Sequence, residues 1–145
     1  MATVCVMKRR FPVAAALLVA LGVAGCSSPP AALGNHEAKV IINGTATNAM
    51  QPVTCSQNGR SWTIETLDKE PGFTATIQLG DTVTAQAVDI RNLGNFTGTF
   101  WDDNLGKAQA KVNQGKFTIS GEAQGAFADK PNQTTTATFD ITTTC

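Results

Sequence analysis

The sequence offers a single histidine, His36, to any chemistry that needs a general base. It stands in a stretch without periodicity, and a general base must first be positioned. A serine–histidine triad or a histidine metal site inside the folded part is therefore excluded. Positive charge is also scarce. Eleven basic residues match eleven acidic ones, and three of the basic ones form one block, Lys8-Arg9-Arg10. Without that block the chain is eight basic against eleven acidic, a net charge near −3. Nucleic-acid binding then has no electrostatic support, and no polybasic patch assists binding to a membrane surface. Long apolar runs are missing too. The run at residues 11–23 has thirteen residues, against the roughly 20 that a spanning helix needs. No later segment carries a helical stripe of apolar residues.

What is there begins with that short run. The basic block precedes it, and Val23-Ala24-Gly25-Cys26 closes it. Basic, apolar and small residues in this order make a secretory signal with a cut between Gly25 and Cys26. Small residues before the cut admit the extended backbone to a peptidase, and a thiol just after it can take a diacylglycerol. The motif resembles a bacterial lipobox, so residues 1–25 are expected to be removed and Cys26 to be lipidated. Met7, next to the basic block, is an alternative start. Either way Cys5 is lost on maturation. Residues 26–38 read as a lipidated N-terminus and flexible tether, small, polar and broken by Pro29 and Pro30. Its reach is roughly 20 Å.

Residues 39–145 form the expected domain, of a size for one core. Here the pattern has period two. Phe73, Ala75, Ile77 and Leu79 alternate with Thr74, Thr76 and Gln78, which predicts a half-buried strand. The next strand places Val83, Ala85 and Ala87 inward, then apolar parity flips to Val88 and Ile90, the mark of a β-bulge. Ala108, Ala110 and Val112 alternate again, as do Phe117 and Ile119, and then Ala137, Phe139 and Ile141. Asn43-Gly44, Asn58-Gly59 and Gln114-Gly115 are turn signals. About eight short strands rich in threonine predict an all-β domain, a single antiparallel β-sandwich or flattened barrel. Phe73, Ile77, Phe117, Ile119, Phe139 and Ile141 are the expected core.

Cys55 and Cys145 are the thiols that remain after maturation. An exported chain permits a disulfide between them, and both share parity with core residues of their strands. Two free thiols are the alternative. A metal site lacks further ligands. Asp102 and Asp103 are adjacent, so on a strand their side chains diverge, and Glu65, Asp68 and Glu70 do not spell a calcium loop. No catalytic, cofactor-binding or metal-binding residue is expected. Phe96, Phe100 and Trp101 form an aromatic group, read as core packing plus one exposed tryptophan, or as a lipid or partner contact.

Taken with the lipobox, Lys39-Val-Ile-Ile-Asn-Gly44, Val53-Thr-Cys55, Gly115-Lys-Phe-Thr-Ile-Ser-Gly-Glu-Ala-Gln-Gly125 and the terminal Thr142-Thr-Thr-Cys145 resemble the mycobacterial 19 kDa lipoprotein antigen family. The resemblance implies a non-enzymatic lipoprotein on the outer face of the cell membrane, anchored by acyl chains on Cys26. It implies a host innate receptor or a cell-envelope protein as partner, and no cofactor. One departure is the short tether, whose hydroxyls are Ser27 and Ser28. The alternative function is a lipid or glycolipid carrier, which would need an apolar cavity of several hundred Å³ in the β-core.

Overall fold

The structure, a computed structural model, describes residues 36–145. They form ten strands and no helix: β1 (His36–Ile42), β2 (Thr45–Ala46), β3 (Gln51–Asn58), β4 (Ser61–Thr66), β5 (Gly72–Leu79), β6 (Val83–Leu93), β7 (Phe96–Trp101), β8 (Lys107–Asn113), β9 (Lys116–Phe127) and β10 (Thr135–Thr144). All pairings are antiparallel. The order is β10-β1-β3-β4-β5-β6-β7-β9, and β9 pairs back to β10, so one sheet closes in a ring. β7 pairs with the last part of β9, from Gln124 to Phe127, and β8 with the first part, from Lys116 to Glu122. The all-β antiparallel fold expected from the alternation is the fold observed.

β1 begins at His36 and buries Ala38 completely. His36 and Glu37, which read as tether, are therefore the first residues of a strand, paired with Val53 and Pro52. Their own sequence carries no alternation. β3 supplies the ladder that extends them.

The interior holds one residue in two from each long strand. Phe73, Ile77, Phe117, Ile119, Phe139 and Ile141 are all buried, with Phe96, Phe100, Ile64, Ile90 and Leu93 beside them. Each such side chain contributes about 1.5–3 kcal/mol through its removal from water. The parity flip in β6 is a register shift: Thr76 pairs with Ala87 and Ile77 with Ala85, which leaves Gln86 as the extra residue. Burial accordingly passes from Ala85 to Val88. Ala87, expected inward, is half-buried at the bulge instead.

Two glycines let β7 and β9 meet. Gly98 and Gly125 are register partners. A methyl group on Gly125 would strike the Thr97 carbonyl, and one on Gly98 would strike the ring of Phe96. The Phe96 ring lies over this bare backbone and packs against Phe127 at 5.1 Å between centroids.

The antiparallel order sorts the connections, apart from residues 102–106 between β7 and β8, to two ends of the ring. One end carries the turns at residues 59–60, 80–82 and 114–115, together with Cys145. Asn58 pairs with Ser61, so the turn there is Gly59-Arg60 rather than Asn58-Gly59. The other end gathers the connections at residues 43–50, 67–71, 94–95 and 128–134.

Candidate functional site

The lipidation and cleavage residues expected from the sequence, Cys26 and Gly25, lie outside the described residues. Cys55 and Cys145 are brought together and bonded, with their Cα atoms 5.9 Å apart. The register explains the position of the bridge. Val53 pairs with His36, and Ala38 pairs with Thr143. Two residues further along β3 and past β10, the cysteines sit at the level where β1 begins. Strands with a third between them run about 9–10 Å apart, so the bridge draws the two flanking strands together at the mouth of β1. Both cysteines are half-buried against the core. Nearby, Trp62 of β4 packs on Phe117 at 5.1 Å.

The acidic residues do not assemble into a site. Asp102 donates its backbone N–H to the Gln86 carbonyl, while Asp103 is exposed with φ at 59°. Glu65, Asp68 and Glu70 are exposed, and the Asp68 carbonyl accepts a 2.7 Å bond from the Thr66 hydroxyl. His36 is half-buried at the start of β1. On the outer face, Arg91 donates to the Asp89 carboxylate at 2.6 Å and to the Thr74 hydroxyl at 3.2 Å, and Asp89 also accepts from Thr99 at 3.3 Å. With Asp89 50% exposed, such a pair contributes about 0–1 kcal/mol. The aromatic group divides as β7 dictates. Phe96 and Phe100 point inward and are buried, and Trp101 points outward, 62% exposed.

A concave feature lies at the end that carries the longer connections. A cleft of about 470 Å³ opens there, lined by Thr45, Asn48 and Gln51 on one side and Asn92 and Asn95 on the other. Gln51 is 9% exposed and donates a 3.2 Å hydrogen bond to the Ala49 carbonyl. Asn92 and Asn95 both take left-handed backbone, φ 49° and 62°, with Gly94 at 57° between them. Two hydrogen bonds hold this turn: the Asn92 N–H to the Thr97 hydroxyl at 3.0 Å, and the Ala128 N–H to the Asn95 carbonyl at 2.8 Å. A neighbouring cleft of about 360 Å³ is lined by Phe127, Asp129, Lys130 and Gln133. Sequence reasoning missed both. The one local signal was Asn92-Leu93-Gly94-Asn95, a turn-forming set.

Residues 31–145, which include the bridge and both clefts, match the family described as Mycobacterium 19 kDa lipoprotein antigen. The chain belongs to the mycobacterial 19 kDa lipoprotein antigen family. Within that setting it is similar to the probable lipoprotein LppE of Mycobacterium tuberculosis (strain ATCC 25618 / H37Rv), 33% identical over 90% of this chain and 92% of the relative. It is similar to a putative lipoprotein of Mycobacterium avium subsp. hominissuis, 36% identical over 94% of this chain and 95% of the relative. It is also similar to the lipoprotein LpqH of Mycobacterium avium, 29% identical over 94% and 96% of the two chains. The family resemblance read from the sequence is thus the membership found.

Proposed function

We propose that the protein is a lipid-anchored display domain, held to the outer face of the cell membrane by acyl chains on Cys26 and acting by contact rather than catalysis. The observation that carries this reading is Val23-Ala24-Gly25-Cys26, after a basic and apolar leader, in a chain of a lipoprotein family. Two acyl chains, at about 0.8 kcal/mol per buried CH₂, hold a protein to a bilayer far more firmly than one. Host innate receptors would engage the acylated end, and an envelope or host protein the folded domain. The packed interior supports display over carriage of a lipid in the core, since Phe73, Phe96, Phe100, Phe117 and Phe139 all occupy it.

Fractionation of a mycobacterium expressing the full chain tests the proposal. The protein is expected in the membrane fraction and in the detergent phase on phase separation, and protease added to intact cells should remove its domain. Recovery in the cytosol, or full protection from protease on intact cells, would refute it.

A further inference from the structure

The larger cleft has a composition that selects a ligand class. Among the described residues, no ionisable side chain lines it, although the smaller cleft at the same end carries both Asp129 and Lys130. Its polar groups are carboxamides and hydroxyls. An anion would find no cation there, and a cation no carboxylate. An apolar ligand would strip water from several amides and leave them unsatisfied, at a cost of about 1–3 kcal/mol each. A carboxamide presents an acceptor oxygen beside a donor NH₂, which matches adjacent hydroxyl groups that donate and accept in turn.

Further observations converge on the same place. Gln51 is the buried polar residue of the wall, and its bond to Ala49 uses one amide proton, leaving a second proton and the carbonyl oxygen at the cleft. The turn opposite is held by the backbone groups of Asn92 and Asn95, so both carboxamides remain for a ligand. Among the described residues, two of the five non-glycine residues with positive φ are in this wall. Ala46, Ala49 and Pro71 also line the cleft. Aliphatic groups beside amides suit a ligand with both C–H faces and hydroxyl edges. The volume falls in the roughly 300–1,000 Å³ range of small-molecule sites.

We infer that this cleft binds a neutral saccharide, whose hydroxyl groups are held by the carboxamides of Gln51, Asn92 and Asn95. The site owes nothing to the anchor and goes beyond the display role. Its ligand has two sources of the same chemistry, a free oligosaccharide or the head group of a glycolipid.

The test uses the full-length protein in zwitterionic detergent micelles. Saturation-transfer NMR is run with neutral oligosaccharides of glucose, galactose, mannose and arabinose, and with a uronic-acid oligomer as the charged comparison. Vesicles containing a neutral glycolipid are compared with vesicles of the same lipid lacking its sugar. Asn92→Gly and Asn95→Gly keep the left-handed backbone and remove a carboxamide. Each should weaken saccharide binding about tenfold without lowering the melting temperature appreciably. Trp101→Ala, on the outer face of β7, should leave binding unchanged. Binding of free neutral saccharides that the two glycine variants weaken supports the site, with a soluble glycan as its source. Binding confined to glycolipid vesicles, dependent on the sugar and weakened by the same variants, supports it with a glycolipid source. No binding to any neutral saccharide or glycolipid would overturn the inference. So would binding that the variants leave intact, preference for the uronic-acid oligomer, or equal binding to vesicles without sugar.

Discussion

Reduction of the Cys55–Cys145 bridge is expected to remove about 4–5 kcal/mol of stability, on the chain-entropy model for a loop of this length. The two cysteines are separated by 90 positions, so the loop they close contains most of the ring. It includes β4 to β10 entire, and with them the long-range pairings of β9 with β7 and β10. Whole domains are stable by only about 5–15 kcal/mol, so the loss is a large share. At about 4–8 °C per kcal/mol for a domain near 100 residues, the melting temperature should fall by roughly 15–40 °C. Calorimetry of the oxidised protein, the reduced protein and the Cys55→Ser, Cys145→Ser double variant checks this. The reduced protein and the double variant should melt together, well below the oxidised protein. A fall of only a few degrees would mean that β1, paired along both sides, already closes the ring.

Replacing Cys26 with alanine is expected to have the larger effect on the cell, because it acts on anchoring as a whole. Without the thiol there is no diacylglycerol acceptor at the cut, and the chain should accumulate as a precursor that keeps residues 1–25. Loss of two acyl chains, at about 0.8 kcal/mol per buried CH₂, lowers the intrinsic membrane affinity of the mature domain by many orders of magnitude. Blotting should show one band at the precursor size, and labelled fatty acid should appear in the native protein and not in the Cys26→Ala variant. Cleavage and labelling of that variant like the native chain would place the acyl group elsewhere.

Period-two alternation carried much of the fold. It located β5, β8 and β10, identified six core residues that are all buried, and placed the irregularity of β6 at the parity flip beside Gln86. The turn signals at Asn43-Gly44 and Gln114-Gly115 both sit on left-handed backbone, with φ of 48° and 77° and of 50° and 78°. The closure of the ring was not legible. It depends on β1 meeting β10 and on β9 reaching both β7 and β10, pairings between distant residues that leave no local signal. The start of β1 was hidden for the same reason, since His36 and Glu37 are ordered by neighbours from β3. Beyond Glu122, β9 runs through Ala123-Gln124-Gly125-Ala126 to Phe127, small residues that alternation alone did not mark as strand. The cleft was harder still. Its walls come from residues 45–51 and 92–95, and only the folded sheet brings those two segments to one end.

The account stands most directly on the N-terminus of the mature protein. Intact-mass spectrometry of the protein purified from a mycobacterial membrane, with fragmentation of its N-terminal peptide, reads that terminus in one experiment. The expected result is a chain beginning at Cys26 that carries the mass of a diacylglycerol, with or without an amide-linked acyl group. A mature chain that begins at another residue, or that begins at Cys26 with no acyl mass, would contradict it.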